Sequence, residues 1–104
     1  MHVHYGDNTL RRLIFDAAFE SDQWPPGVVE SLRRRHQSLS AMKDRRDLDG
    51  LLSLEFRTHA DGGGMQGSIC LADGARLVIE FDPEKTEQVS VVEILMSGIQ
   101  EAAR

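Results

Sequence analysis

The side chains of this chain that are able to do chemistry include a histidine pair, a lone cysteine and several arginines. His2 and His4 are two residues apart, so on a strand both imidazoles lie on one face, where a third ligand would complete a metal site. With no third ligand close in sequence, an exposed pair on an edge strand is the favoured interpretation. Cys70 has no second cysteine to pair with and no basic neighbour in sequence, so it is predicted to be a small buried hydrophobe rather than a nucleophile.

A run of three arginines and a run of three glycines each allow a functional and a structural interpretation. Arg33, Arg34 and Arg35 are consecutive on a predicted helix, so they spread over roughly 200° of its surface and cannot all serve one site. Such a run is usually a solvated face, and one or two of its members remain open to an acidic partner or RNA. The glycine run at 62–64 lacks the Lys-Ser/Thr sequel of a nucleotide-binding loop, so a flexible linker is favoured.

Arg76 is the strongest candidate, because it stands in a hairpin that is otherwise almost wholly apolar. Asp73 and Gly74 tolerate positive φ and predict a two-residue turn between two strand-forming runs. The second run alternates between an apolar face of Leu77, Ile79 and Phe81 and a polar face of Arg76, Val78 and Glu80. We therefore expect a sheet with one buried face and function on the other. The structural alternative is that Arg76 merely pairs with Glu80 or Glu93.

The elements that position Arg76 begin with a short strand over 2–5 and an amphipathic helix. Asp7, Asn8 and Thr9 are helix-capping types, and the apolar positions that follow recur with helical spacing at Leu10, Leu13, Ile14, Ala17 and Ala18. The segment 21–27 breaks this helix at its prolines, and Trp24 is expected to anchor the loop to the core.

A second helix is predicted from about Pro26 to Arg46. Its buried face consists of Val28, Leu32, Leu39 and Met42, with either Arg35 or His36 between them. His36 is interpreted as a structural histidine at the boundary of the core. A strand over 52–57, a loop over 58–66, the hairpin, a turn at 82–85, a valine-rich last strand ending at Leu95 and a short tail complete the chain.

This order predicts a single α+β domain over residues 1–104, in which a helical hairpin packs on one face of a small, mainly antiparallel sheet of four to five strands. Composition is that of an ordinary globular protein, with 40% hydrophobic and 28% charged residues. The net charge of -5 arises entirely after residue 49, which argues against nonspecific nucleic-acid binding by the sheet. The absence of a signal peptide or long apolar run makes a cytoplasmic location the expectation.

Four stretches together resemble a known family. They are TLRRL (9–13), SLRRRHQSL (31–39), RDL (46–48) and the hairpin GSICLADGARLVIEF (67–81). In these stretches the chain resembles the RelE/ParE superfamily of bacterial toxins, and most closely its HigB-like branch. That branch has a strand, a turn and an Arg-Leu-x-Phe-x-Phe strand, followed by an acidic turn and a valine-rich strand. The resemblance extends over about residues 5–95, by pattern more than by identity.

The resemblance implies a cytoplasmic toxin that cuts messenger RNA on the ribosome and is held inactive by an antitoxin. Such enzymes use no metal and no cofactor: the RNA 2′-hydroxyl attacks the adjacent phosphate, which requires a base, an acid and cations. Carried over to this chain, Arg76 and Arg57 would hold the phosphate, while His59 and Glu93 would form an acid/base pair. The catalytic set implied is thus Arg57, His59, Arg76 and Glu93.

The chain departs from the family in the last strand and in the first strand of the hairpin. Where the HigB-like branch ends in Asp-Tyr-His, this chain has Glu93, Ile94 and Leu95, and Gly67 replaces the usual tryptophan. These differences and the acidic sheet motivate an alternative. In it, the chain is a non-catalytic module with the toxin fold, such as a ParE-like gyrase inhibitor or a degenerate toxin that keeps only its antitoxin interface.

Overall fold

The computed structural model of the chain describes residues 1–16, 18–19, 23–43, 45–48, 54–58, 66–82 and 84–96, with backbone alone for residues 45, 46 and 86. Within these ranges it has two α-helices and a five-stranded sheet. The helices are α1 (Asn8–Phe15) and α2 (Pro26–Ala41). The strands are β1 (His2–Tyr5), β2 (Arg57–Thr58), β3 (Gln66–Cys70), β4 (Arg76–Asp82) and β5 (Lys85–Leu95).

The sheet is mixed, with the strand order β1-β5-β4-β3-β2. The β2–β3, β3–β4 and β4–β5 pairs are antiparallel, whereas β1 pairs with β5 in parallel. The parallel pair arises because both helices lie between β1 and the rest of the sheet in sequence, and a crossover of this length allows the chain to return in the same direction. The predicted α+β class is therefore confirmed, and the sheet is mixed.

The core lies between the two helices and one face of the sheet. Apolar side chains of both layers are almost fully buried there, among them Leu10, Leu13, Val28, Leu32, Leu39, Ile69, Leu77, Ile79, Phe81, Val89, Val91 and Ile94. The predicted core-facing residues of α2 and β4 are thus confirmed, but the expectation of one buried sheet face is wrong, because Arg76 and Val78 on the opposite face of β4 are buried as well. Trp24 packs against this core, as expected of a loop anchor. Neither helix of the described ranges has the length and apolar composition needed to cross a membrane.

Both helices are shorter than their apolar spacing predicts. The helix α1 ends at Phe15 because Asp16 takes an extended backbone and its carboxylate accepts the N–H of Ala18, a side-chain bond that replaces a helical one. The helix α2 ends at Ala41 rather than near Arg46. Here the carboxylate of Asp47 accepts the N–H of Lys43, and a separate 3-10 turn covers Arg45–Leu48.

The strand predicted over 52–57 is also wrong in its bounds. The described residues place Leu54 in the core, give Glu55 a positive φ of 47°, and begin β2 only at Arg57. A positive φ interrupts extended pairing, because most L-residues reach it only in turns. Residues 52–53, the glycine run and the tail after Met96 lie outside the described ranges.

Candidate functional site

The turn of the β3–β4 hairpin has three residues rather than the predicted two. Asp73 and Gly74 have φ of 58° and 77°, so the expectation of positive φ for this pair is confirmed. However, the N–H of Leu71 donates to Ala75 O at 2.7 Å, so the loop consists of Ala72–Gly74. A two-residue loop would pair Cys70 with Leu77, whereas the structure pairs Cys70 with Arg76.

The extra loop residue is explained by a contact with α2. The N–H of Ala72, which a two-residue hairpin would direct to Ala75, donates instead to the hydroxyl of Ser31 at 3.0 Å. Ser31 is buried and its own hydroxyl donates to Val28 O at 2.8 Å. Because a shift of one residue moves every side chain of a strand to the other face, this contact decides that Cys70 and Ser68 lie on the same face as Arg76.

We call the sheet face turned away from the helices the polar face. Along one line across it, the paired residues of four adjacent strands are Arg57, Ser68, Val78 and Glu93. Neighbouring strands are about 4.8 Å apart, so Arg57 and Glu93 are separated by roughly 14 Å at their Cα atoms. Arg57 and Glu93 at the two ends of this line are exposed, whereas Ser68 and Val78 in its middle are almost fully buried.

A β-bulge places Glu93 on that line. The register between β4 and β5 shifts between Val78 and Ile79, so that one residue, Val92, is extra on β5. The shift explains why the sequence of β5 does not alternate strictly: Val91 and Ile94 are both buried, and Glu93 between them is exposed. Without the bulge, strict alternation would point Glu93 into the core.

Arg76 lies on the polar face but is buried, with only 9% of its surface exposed. Its Nε donates to Ser68 Oγ at 2.8 Å, and its Nη2 donates to Ser68 O at 3.0 Å and to Glu55 O. The guanidinium thus crosses β3 and reaches the segment that leads into β2. Among the described residues it makes no ion pair, so the alternative of a simple pair with Glu80 or Glu93 is wrong.

The electrostatic surroundings of Arg76 contain a second cation. Burial lowers the pKa of Arg76, and the positive charge of the exposed Arg57 lowers it further, while Cys70 and Glu55 act in the opposite direction. A guanidinium still stays charged near neutral pH, because its ordinary pKa lies far above neutral. Two arginines therefore share one face at close range, which is an arrangement that an anion stabilises.

Cys70 differs from its prediction as a buried hydrophobe. It is half-buried, and Arg35 of α2 donates from Nε to Cys70 O at 3.0 Å and from Nη2 to Cys70 Sγ at 3.4 Å. The basic neighbours that the sequence does not place beside Cys70 are thus supplied by α2 and by β4. The apolar spacing of α2 allows either Arg35 or His36 at the position between its apolar residues. In the structure both residues are half-buried.

Gly67 has a steric reason to be glycine. A Cβ on Gly67 would lie 2.7 Å from Arg57 O and 2.7 Å from a ring carbon of Phe56. The Phe56 ring packs edge-on against Phe81, with the ring centroids 5.8 Å apart. The ring of Phe56, the residue before β2, thus covers this end of the sheet, and the tryptophan of the resembled family has no space at position 67.

The two histidines of β1 are not brought together with Arg76. His2 and His4 lie on the polar face of β1, and the described residues contain no group of three His, Cys, Asp or Glu side chains that could hold a metal. His59 lies outside the described residues. The contact between Ser68 and Arg76 was not predicted from the sequence. A hairpin register with a three-residue turn would have placed Ser68 and Arg76 on the same face.

On the helix side, Tyr5 and His36 form a hydrogen-bonded pair, with the hydroxyl 2.8 Å from Nδ1. Burial raises the pKa of Tyr5 and lowers the pKa of His36, so both are neutral near pH 7. The exposed ring of Phe15 contacts both of them edge-on. His36 is thus a structural histidine at the core boundary, as its position predicts.

Comparison with models of protein families, with curated proteins and with solved structures finds no significant match to this chain.

Proposed function

We propose that this chain is the toxin of a type II toxin–antitoxin pair, has the RelE/ParE-like fold, and cleaves messenger RNA on the ribosome as HigB-like toxins do. The observation that carries the proposal is the presence of Arg57 and Arg76 on one sheet face, within electrostatic reach of each other and on either side of Ser68. Clustered guanidinium groups suit a phosphate, which accepts several charge-assisted hydrogen bonds. The element order strand, helix, helix, strands is the one that the resemblance implies, which supports the fold.

The proposed reaction needs no external reactant. The 2′-oxygen of the RNA forms a bond to phosphorus as the bond from phosphorus to the 5′-oxygen breaks, which gives a cyclic phosphate and a 5′-hydroxyl. Arg57 and Arg76 would offset the negative charge that accumulates on the phosphate oxygens. Glu93, at the opposite end of the same line of residues, would take or deliver a proton together with His59.

A second candidate, binding without cleavage, is favoured by the burial of Arg76. Its hydrogen bonds to Ser68 and Glu55 hold the guanidinium within the sheet, and only 9% of the residue reaches solvent. A residue held in this way serves the fold whether or not RNA is cut. On this alternative the chain acts by protein contact, as a gyrase inhibitor or as a toxin that retains only antitoxin binding.

Expression of the chain without its antitoxin tests the proposal. Growth should stop on induction, and Arg57→Ala should relieve the arrest while accumulating as soluble protein, because Arg57 is exposed and its loss leaves no buried group unpaired. Arg34→Ala removes an exposed arginine from α2 and serves as the matched control, which should still arrest growth. Normal growth at full induction of soluble wild-type protein would exclude the proposal.

A further inference from the structure

The three consecutive arginines of α2 have three different environments. Arg33 donates from Nε to Leu13 O at 2.7 Å and so ties α2 to α1. Arg34 is exposed. Arg35 is half-buried and donates to both the carbonyl and the sulfur of Cys70. The run is therefore not one solvated face, and its third member extends from the helix layer to the end of β3.

The register of the hairpin decides what Arg35 approaches. Cys70 is the cross-strand partner of Arg76, and residues paired in this way have side chains on the same face. Its sulfur therefore belongs to the polar face, and the Arg35 guanidinium, 3.4 Å from that sulfur, lies at the rim where this face meets the helix layer. A third positive charge thus stands beside the end of the sheet that carries Arg76 and Arg57.

We propose that Arg35 is a further RNA-contacting residue, which supplies charge to a backbone phosphate next to the one bound at Arg57 and Arg76. The proposal rests on the proposed function and extends its site from the sheet to α2. The bonds to Cys70 fix the long side chain before RNA arrives, so that less conformational entropy is lost on binding than for a free surface arginine. Because the chain is acidic as a whole, a local cluster of this kind has to supply the attraction for RNA.

The test is the salt dependence of binding to a short single-stranded polyuridine RNA, measured by fluorescence anisotropy. A lost phosphate contact reduces the slope of log affinity against log salt by about 0.7 for a single strand. Arg35→Gln should show this reduction and bind severalfold more weakly at low salt. Arg34→Gln, which removes the same charge one residue away, should keep the wild-type slope. Equal slopes for the two variants, whether reduced or unchanged, would overturn the role of Arg35.

A second measurement uses only the wild-type protein, in case Arg35→Gln does not fold. Modification by phenylglyoxal, an arginine-specific reagent, is followed by mass spectrometry with and without the same RNA. RNA should slow modification of Arg35 and leave Arg34 unaffected, and no protection of Arg35 contradicts the inference. Failure of this inference can be told apart from failure of the proposed function. If the wild-type protein binds RNA but Arg35 is not protected, only the inference about Arg35 fails. If the wild-type protein neither binds RNA nor arrests growth, the proposed function is rejected as well.

Discussion

The hydrogen bonds of Arg76 predict a measurable coupling between this residue and Ser68. Arg76→Met keeps much of the side-chain length and apolar stem but removes every donor, and Ser68→Ala removes the hydroxyl acceptor. Ser68 is 2% exposed, so its hydroxyl cannot turn to water when Arg76 is lost. Hydrogen bonds to charged groups contribute about 1.5–3 kcal/mol, and a buried polar group without a partner costs about 1–3 kcal/mol.

The size of the coupling follows from these figures. Arg76→Met should lower the free energy of unfolding by about 3 kcal/mol and Ser68→Ala by about 1–2 kcal/mol. Methionine also removes the cost of burying a charge. The change in unfolding free energy of each single variant is therefore less diagnostic than the coupling free energy between the two residues. The double variant leaves neither partner unpaired across this bond, and should be more stable than the sum of the single effects predicts by about 1–2 kcal/mol.

Urea unfolding followed by circular dichroism gives the four free energies of this cycle. Effects that add to within about 0.5 kcal/mol would refute the reasoning, because they would mean that the bond from Arg76 Nε to the Ser68 hydroxyl does not contribute to stability. The result also bears on function. If Arg76 holds β3, β4 and the segment before β2 together, then loss of toxicity in an Arg76 variant can come from unfolding, and Arg57 is the cleaner residue for tests of activity.

Three further predictions concern the fold around the site. Gly67→Ala should lower the free energy of unfolding by about 1–3 kcal/mol, because the added Cβ has no space. In Gly6→Ala the added Cβ would have one neighbouring atom, at 3.9 Å, so the free energy should change by less than about 0.5 kcal/mol. Urea unfolding measures both. Ser31→Ala should lower the free energy of unfolding by about 1–3 kcal/mol, because it leaves the amide of Ala72 in the turn without a partner. Ser38→Ala, whose hydroxyl donates to Arg34 O of its own helix, should have little effect. Equal losses for the two variants would contradict the role of Ser31 in the turn. Because burial lowers the pKa of His36 below its unfolded value near 6.5, its contribution is complete above about pH 6.5 and is lost as the pH falls toward the folded pKa. In His36→Asn the free energy of unfolding should therefore depend less on pH below about pH 6.5. If the difference in unfolding free energy between wild type and variant does not change with pH, His36 does not contribute to the pH dependence.

The sequence predicts those parts of the fold that depend on local pattern. Alternation in β4 and helical spacing in α2 identify the residues of each element that face the core, because residues on one side of an element recur with its period. The bounds of the helices were less predictable. Their ends depend on single side-chain bonds from Asp16 and Asp47, which compete with the helix for backbone amides and leave no periodic signal.

The candidate site depends on a contact that no local pattern contains. The turn residues Asp73 and Gly74 are evident from sequence, but the bond from the Ala72 amide to Ser31 joins residues 41 positions apart and changes the register by one. That change places Ser68 and Cys70 beside Arg76 rather than in the core. Sequence therefore identifies Arg76 as the exceptional residue of the hairpin, while its burial and its partners follow from tertiary packing.

The central claim is that this sheet face supports RNA cleavage, and primer extension on cellular transcripts after induction tests it most directly. Transcripts from cells that express the wild-type chain should carry new 5′ ends at codon-linked positions. With Arg57→Ala at the same soluble level these ends should be lost, and with Arg34→Ala they should persist. Intact transcripts in cells that contain abundant soluble wild-type protein would contradict the claim and favour a toxin-fold protein that binds without cutting.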